Sequence, residues 1–227
     1  MPYPDPLRLA LWCLGAFLAG SIPFGLVLVK LAGKGDVRAH GSGNIGATNV
    51  SRVGGKGLGL VTLGLDILKG WLPVWLAGGA FAHSYGVLAL VALAAVLGHV
   101  FTPWLKFQGG KGVATTLGAF LAAGGWLAVL PCMLVFAVVL AVSRYVSLSS
   151  ILAAACMAVV AKVLFFVVKA PQPLSCWGNA WNGMVWTLVA VIIIAKHHEN
   201  IRRLLRGTES KLWGAAKGGE AQHDGTA

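Results

Sequence analysis

The chain has 227 residues, of which 57% are hydrophobic and only 11% are charged. Soluble domains carry about 25% charged residues, so this composition excludes a disordered chain, a disulfide-rich secreted domain and most soluble enzymes. The 18 Lys and Arg against 7 Asp and Glu give a net charge of +11. In a membrane protein, basic cytoplasmic loops that attract anionic lipid headgroups explain this charge, and no nucleic-acid partner is expected.

Long uncharged runs predict an all-α, polytopic integral membrane protein with seven transmembrane helices. A bilayer core about 30 Å thick needs roughly 20 apolar residues per helix. Two runs are too long for one span, and we divide them at the turn of residues 82–86 and at the pair Gly124–Gly125. The predicted spans are residues 7–31, 57–81, 86–102, 113–124, 126–143, 148–168 and 183–196.

The distribution of basic residues orients these spans. Fourteen of the 18 Lys and Arg residues fall on one face of the predicted topology. They lie in segments 30–56, 103–112, 144–147 and 196–227. The positive-inside rule then places the N-terminus outside and the C-terminus in the cytoplasm. Residues 1–211 form one predicted domain, and residues 212–227 are expected to be a disordered tail.

The first predicted cytoplasmic loop carries a glycine-rich polar motif, residues 41–52, with the sequence Gly-Ser-Gly-Asn-Ile-Gly-Ala-Thr-Asn-Val-Ser-Arg. Glycines let a backbone turn tightly and approach a ligand. Arg52 adds a planar fork of donors that suits phosphate. The neutral hydrogen-bonding groups of this loop are Ser42, Asn44, Thr48 and Asn49. A flexible linker is the alternative interpretation of this segment.

The second loop has the sequence Gln-Gly-Gly-Lys-Gly-Val-Ala-Thr-Thr over residues 108–116, directly before an apolar helix. A glycine loop that feeds a helix N-terminus points N–H groups at an anion, and Lys111 adds a full charge. The loop is not a nucleotide P-loop, because Gly112 follows the lysine where Ser or Thr is required. Gly109, Gly110, Gly112 and Thr115 are predicted to contribute to anion binding here. A basic anchor at a helix end is the alternative.

Two further cytoplasmic segments carry candidate side chains. Residues 144–150 contain Ser147 and Ser149, and serine near a helix start is most often a cap. Residues 196–206 place His197 and Asn200 three positions apart, which is one face of a helix. Within the second span, Asp66 and Lys69 have the same spacing and are either a structural pair or a support of the site.

Taken together, these segments resemble the bacterial acyl-phosphate:glycerol-3-phosphate acyltransferases, the PlsY family. The resemblance runs from the Gly-Ser-Ile-Pro-Phe-Gly motif at 20–25 to Arg206. It includes the motifs at 42–49, 66–70, 98–99, 109–115 and 197–201. The Thr-Pro-Trp segment at 102–104 departs from the family pattern, and the outer stretch 169–182 is longer than usual.

The resemblance implies transfer of an acyl group from acyl-phosphate to the 1-hydroxyl of glycerol 3-phosphate, which produces lysophosphatidic acid for phospholipid synthesis. The predicted catalytic residues are Ser42, Lys111, His197 and Asn200. The predicted substrate- and phosphate-binding residues are Asn44, Thr48, Asn49, Arg52, Gly109, Gly110, Gly112, Thr115 and Ser149. Ser149 is the least securely matched of these, with Ser147 close by. No metal or other cofactor is expected, and the protein is expected to be a monomer.

The residues themselves favour direct acyl transfer. Phosphate is already a competent leaving group, so positioning and charge stabilisation can suffice without a covalent nucleophile. The base is either His197 or a substrate phosphate oxygen. The rival functions are a transporter of a phosphorylated metabolite, a CDP-alcohol phosphotransferase and a purely structural membrane protein. No internal repeat supports the first, and the aspartate-rich motif of the second is missing.

Overall fold

The computed structural model describes residues 4–81, 84–167 and 176–212, with side chains except at 165–167 and 176–180. Throughout these ranges the regular structure is helical, as the sequence predicts. The α-helices are α1 (Pro6–Ser21), α2 (Phe24–Leu31), α3 (Ala47–Gly54), α4 (Lys56–Ala80), α5 (Tyr85–Val100), α6 (Val113–Ser143), α7 (Val146–Val167), α8 (Cys176–Lys196) and α9 (His198–Leu205). Short 3₁₀ turns cover Val37–Ala39 and Pro103–Leu105.

The predicted apolar spans coincide with these helices. Within the described ranges, five helical stretches are long and apolar enough to cross a membrane, and Trp181–Lys196 is a shorter apolar helix. The five are Pro6–Leu31, Lys56–Ala80, Tyr85–Leu105, Val113–Ser143 and Val146–Leu164. A multi-pass membrane protein is thereby confirmed. The total of seven spans stays a prediction, because it requires both halves of α6 to cross the membrane.

Helix α6 reverses its direction at Gly125, where φ is 68° and ψ is −168°. A straight helix of 31 residues would extend roughly 46 Å at 1.5 Å per residue. Yet both ends of α6 meet the same C-terminal segment. Lys111, just before α6, hydrogen-bonds Asn200, and Arg144, just after it, accepts a hydrogen bond from the Leu212 amide at 2.8 Å. The halves therefore run in opposite directions, and the break falls at the predicted glycine pair.

The predicted span 7–31 is also interrupted, which the apolar pattern did not reveal. Pro23 lacks an N–H and cannot continue a helix, so carbonyls at the end of α1 lose their helical partners. The Thr102 hydroxyl donates to the Ser21 carbonyl at 2.7 Å. The Lys69 ammonium donates to the Ile22 carbonyl at 2.8 Å. Side chains from α4 and the segment after α5 thus hold the break in place.

Glycines allow the helices to approach each other closely. A Cβ atom on Gly70 of α4 would overlap the Thr115 carbonyl oxygen of α6, and one on Gly118 would overlap the Ile67 carbonyl oxygen. Gly20 and Gly98 play the same part between α1 and α5. Small residues at membrane helix interfaces permit such backbone contact, and dispersion forces then hold the pair together.

The polar segments collect on one end of the bundle, which we call the loop face: residues 32–55, 101–112, 144–147 and 197–212. A small apolar cluster packs residues of the first two segments together, with Val37, Ile45, Val50 and Leu105 buried in it. The hydrogen bonds of Lys111 and Arg144 to the C-terminal segment join the other two. The bundle therefore gathers all the sequence motifs at one membrane boundary.

We expect Gly70→Ala to lower stability, because the new methyl group must push the backbones of α4 and α6 apart. Overpacking of this kind costs about 1–3 kcal/mol. Gly64 lies on the same helix with no atom within 4 Å of an added Cβ. Gly64→Ala is therefore the matched control and should gain about 0.5–1 kcal/mol from reduced backbone freedom. Thermal unfolding of both variants in detergent measures the difference; equal melting temperatures would contradict the close contact.

Candidate functional site

Asn49 organises the first glycine-rich loop from inside. Its side-chain amide donates to the carbonyls of Val37 and His40 at 3.0 Å and of Asn44 at 2.9 Å. Its Oδ1 accepts the Ser42 amide at 2.8 Å. With every hydrogen-bonding position of the side chain used by the loop, Asn49 maintains the loop's shape. Its predicted role in substrate binding stays a prediction, and the observed role of the side chain is to hold its neighbours in position.

The loop displays its other predicted residues around the start of α3. The Asn44 side chain accepts the Gly46 amide at 2.9 Å, and Gly46 is the residue before α3. Thr48 is half-buried in the first turn, and Ser42 is exposed. An open cleft of about 410 Å³, which we call the arginine cleft, is lined by Lys34, His40, Gly41, Arg52 and Val53. Lys34 and Arg52 are cations and no carboxylate lines the cleft, so it suits an anion.

His99 of α5 supports the second glycine-rich loop. The Gly109 amide donates to the Val100 carbonyl and the Gly110 amide to the His99 carbonyl, both at 3.1 Å. A Cβ on Gly109 would overlap the His99 carbonyl oxygen, and one on Gly110 would overlap the His99 ring. The glycines are therefore required for packing. Their amides donate to carbonyls at the end of α5, and phosphate binding by these two N–H groups stays a prediction.

Lys111 follows the two glycines that pack on His99, and its side chain extends toward the C-terminal segment. Gly112 follows with φ of 84°, a left-handed conformation that favours glycine, and starts α6. The first N–H groups of a helix have no partner within it and remain available to an anion. Thr115 is fully buried against α4. Its predicted contribution to anion binding stays a prediction, and Lys111 is the charged side chain of this loop.

A charged pair lies in the bundle beneath the loop. The Lys69 ammonium is 2.7 Å from the Asp66 carboxylate, and both side chains are buried. The ring of His99 lies beside them, with Nδ1 at 3.8 Å from the same carboxylate. Lys69 also donates a hydrogen bond at the break between α1 and α2. The pair therefore connects that break to His99, against which Gly109 and Gly110 pack. The pair of Asp66 and Lys69 is therefore a structural contact, and through His99 it also supports the second glycine-rich loop.

Asn200 joins Lys111 to Glu209. Its Oδ1 accepts a hydrogen bond from the Lys111 ammonium, and its Nδ2 donates to Glu209 Oε1 at 2.6 Å. Glu209 also accepts from the Ser147 hydroxyl and from Arg203 Nε, each at 2.7 Å. These hydrogen bonds lower the pKa of Glu209 against the opposing effect of its burial. We call Lys111, Ser147, Asn200, Arg203 and Glu209, with His197, the lysine cluster.

Burial lowers the pKa of Lys111 to about 8. The negative charges of Glu209 and Glu199 act in the opposite direction, while Arg203 and Arg52 lower the pKa further. An incompletely solvated ammonium beside a second cation is a strong site for an anion, because the anion relieves both burial and repulsion.

His197 is buried at the junction of α8 and α9. Its Nδ1 lies 2.8 Å from the Ile193 carbonyl oxygen. A carbonyl only accepts, so Nδ1 carries the proton and Nε2 keeps its lone pair. Burial lowers the pKa of His197 to about 4, with a further lowering by Lys111 that the Ile193 hydrogen bond and Glu209 oppose. At neutral pH the ring is therefore uncharged and can accept a proton at Nε2.

Ser147 belongs to the lysine cluster, whereas the predicted Ser149 lies deeper in α7. The Ser149 hydroxyl donates to the Tyr145 carbonyl of its own helix at 2.8 Å, and the residue is fully buried. The loop face thus brings Lys111, His197 and Asn200 together, and Arg52 lines the arginine cleft of the same face. Sequence reasoning missed Glu209, Arg203 and the contact of Ser147. The available signal was that Glu209 is one of only 7 acidic residues.

Within the described ranges, no three His, Cys, Asp or Glu side chains form a group that could hold a metal ion.

The model of the family described as glycerol-3-phosphate acyltransferase matches residues 10–207. The chain belongs to the glycerol-3-phosphate acyltransferase family. A curated relative of that name from Trichlorobacter lovleyi is 51% identical over 201 residues, which is 88% of this chain and 96% of the relative. Another from Geobacter sulfurreducens is 48% identical over 198 residues, 87% of this chain and 94% of the relative.

Two solved structures are similar to this protein. Both are of PlsY, an integral membrane glycerol 3-phosphate acyltransferase. Its glycerol 3-phosphate form matches with a TM-score of 0.79 and 39% identity, covering 91% of this chain and 96% of the other. Its lysophosphatidic acid form matches with a TM-score of 0.76 and 38% identity, covering 90% and 95%. The resemblance to the PlsY family that the motifs indicated is thereby confirmed.

We expect Glu209→Gln to destabilise the acyltransferase. The variant weakens charge-assisted hydrogen bonds and leaves Arg203 without its close carboxylate partner, which costs about 2 kcal/mol. Glu199→Gln is the matched control, because Glu199 is 3.9 Å from the same arginine and its side chain is 64% exposed. That change should cost less than about 0.5 kcal/mol. Thermal unfolding compares them, and equal losses would contradict the central place of Glu209 in the cluster.

Proposed function

We propose that this protein transfers an acyl group from an acyl-phosphate to the 1-hydroxyl of glycerol 3-phosphate. The products are 1-acyl-glycerol 3-phosphate, which is lysophosphatidic acid, and inorganic phosphate. The family membership supports acyl transfer to this acceptor, and phospholipid synthesis follows from the family. The choice of donor rests on the motifs and on the chemistry of the loop face.

One observation carries the proposal. The Lys111 ammonium hydrogen-bonds Asn200 of α9, the helix that His197 precedes, and Arg52 lines the arginine cleft of the same loop face. Both proposed substrates carry a phosphate group, so a site that accepts them must balance several negative charges at once. Binding two phosphates at neighbouring cations also brings the acceptor hydroxyl close to the acyl carbon, which is the largest advantage that positioning can supply.

The proposed step is a direct transfer. The 1-hydroxyl oxygen forms a bond to the acyl carbon, and the bond from that carbon to the phosphate oxygen breaks. Arg52, Lys111 and the free N–H groups at the start of α6 hold the phosphates and stabilise the negative charge that develops. Ser42, Asn44 and Thr48 orient the polar groups of the substrates from the first loop, while Asn200 positions Lys111.

The hydroxyl proton has two proposed acceptors, His197 Nε2 and an oxygen of a substrate phosphate. The neutral state of His197 and the engagement of Nδ1 support the first. Loss of the proton to phosphate needs no protein base and fits the absence of a Ser-His-Asp set. The released phosphate carries the leaving electron pair in either route. The acyl tail is proposed to lie between helices and to enter from the bilayer.

The loop face is proposed to face the cytoplasm, because it carries most of the basic residues. This orientation places the N-terminus outside and the C-terminus inside the inner membrane of a bacterium. The enzyme is proposed to act as a monomer without a metal or organic cofactor. Water-soluble glycerol 3-phosphate then enters from the cytoplasm, and the acyl donor enters laterally.

The donor is tested with the purified protein, palmitoyl phosphate and glycerol 3-phosphate, without added divalent metal. We expect lysophosphatidic acid and phosphate in equal amounts. Palmitoyl-CoA is the parallel donor, and lipid formation from it alone would overturn the donor assignment. Reconstituted liposomes with labelled glycerol 3-phosphate test the transporter alternative, since a carrier exchanges the label unchanged.

The depressed pKa of Lys111 predicts a pH dependence. A lysine is charged below its pKa, so the phosphate grip is present at neutral pH and is lost as the pH rises through about 8. We expect kcat/KM for glycerol 3-phosphate to fall above that pH, because this ratio reports the free enzyme.

Lys111→Arg keeps a positive charge at alkaline pH, so the fall should disappear even if the neutral-pH rate is lower. Lys111→Ala should lose most activity at every pH while the protein still inserts in the membrane. An identical alkaline fall in wild type and Lys111→Arg would refute the assignment to Lys111.

A further inference from the structure

A second basic cleft lies on the loop face, outside the arginine cleft and the lysine cluster. It encloses about 540 Å³ and is lined by Pro23, Leu26, Lys30, Arg38, Trp104, Leu105, Lys106 and Gln108. We call it the lipid cleft. The 3₁₀ turn Val37–Ala39 separates it from the arginine cleft, because Arg38 faces one and the following His40 lines the other.

The charge of the lipid cleft is strongly positive. Lys30, Arg38 and Lys106 line it, and no carboxylate is among its lining residues. Asp36 neutralises Arg38 through a contact of 2.6 Å. In the part of the chain that the structure describes, the ammonium groups of Lys30 and Lys106 have no hydrogen-bond or ion-pair partner. Two unpaired cations thus face the same space, which is suited to a singly or doubly charged anion.

Apart from Gln108, the remaining lining is apolar. Pro23, Leu26 and Leu105 form the floor of the cleft. Leu31 at the end of α2 is 81% exposed and Trp104 is 64% exposed, although its Nε1 donates to Ser21 Oγ at 2.8 Å. Tryptophan at a membrane boundary lies at headgroup level. The lipid cleft therefore lies at the depth where a phospholipid headgroup joins its acyl chains.

The backbone presents Lys106 to this boundary at a conformational cost. Lys106 and Phe107 are consecutive left-handed residues, with φ of 52° and 63°. Non-glycine residues adopt this conformation only when the surrounding structure imposes it, and such strain is concentrated at ligand sites. Here the result is an exposed lysine and an exposed phenylalanine side by side, a cation next to an apolar anchor.

We propose that the lipid cleft binds an anionic phospholipid of the surrounding bilayer. Its phosphate accepts hydrogen bonds from Lys30 and Lys106, and an acyl chain follows the apolar surface of α1 and α2 past Pro23. This binding does not depend on acyl transfer, so its failure and the failure of the proposed function are distinguishable. A free anion would use the cations alone and leave the apolar floor uncovered.

Native mass spectrometry of the full-length protein tests the proposal, with equal amounts of phosphatidylglycerol and phosphatidylcholine in mild detergent. We expect wild type to retain phosphatidylglycerol preferentially. Lys30→Gln combined with Lys106→Gln should weaken that binding about tenfold or more, since each lysine near an anionic lipid contributes roughly fivefold. Lys56→Gln combined with Arg206→Gln removes the same charge from two positions outside the cleft and is the matched control.

Retention by the control pair together with loss in the cleft pair supports the proposal. The proposal would be overturned if the cleft pair and the control pair retained phosphatidylglycerol equally or lost it equally. In either case the two cleft lysines would have no effect beyond that of general charge. Inorganic phosphate at millimolar concentration should not displace the lipid; displacement would identify a free-anion site instead. Thermal unfolding confirms that each pair is folded, and a third pair, Lys30→Arg with Lys106→Arg, should restore binding if positive charge at these positions is the determinant.

Discussion

The loop face depends on one interaction, the hydrogen bond from the half-buried Lys111 ammonium to Asn200. Asn200 in turn binds Glu209, which binds Ser147 and Arg203. A lysine that loses water on burial requires compensation by hydrogen bonds and opposite charge. Glu209 supplies the charge without contacting Lys111 directly, so the ammonium keeps hydrogen-bonding capacity for an anion. The same contacts draw both ends of α6 toward the C-terminal segment and so require the reversal at Gly125.

A second layer of support lies in the bundle beneath this interaction. The pair of Asp66 and Lys69 holds the carbonyl left free at the α1–α2 break, and His99 beside it carries Gly109 and Gly110. Charged groups within a span are costly, and they persist where they satisfy each other and a freed backbone group. Here they connect the first span, α4 and α5 to the loop that presents Lys111. The membrane-embedded part of the protein is thus the platform on which the cations of the loop face are positioned.

Within each motif, burial decides which residues hold the loop together and which remain open to a ligand. In the first loop, Asn49 is consumed by backbone contacts, and Arg52 remains exposed. In the second loop, the amides of Gly109 and Gly110 donate to carbonyls at the end of α5, and Lys111 extends beyond these glycines. Glycine-rich loops were predicted to bind phosphate through their amides, and at Gly109 and Gly110 the amides terminate a helix. The absence of side chains serves helix contact there, while the adjacent N-terminus of α6 retains free N–H groups.

Composition and pattern by themselves determined the membrane class, the helical spans, the break at Gly125 and the collection of polar motifs on one face. These are local properties, since hydrophobic runs, glycine pairs and charge bias can be read along the chain. The sequence also indicated the family and most of the candidate residues, including Arg52, Lys111, His197 and Asn200. Only the tertiary structure decided that Ser147 rather than Ser149 joins the cluster, that Gly109 and Gly110 serve packing, and that Glu209 completes the site. Those outcomes depend on contacts between residues far apart in sequence, such as residues 147 and 209, whose distance is set by how the helices pack rather than by any local pattern.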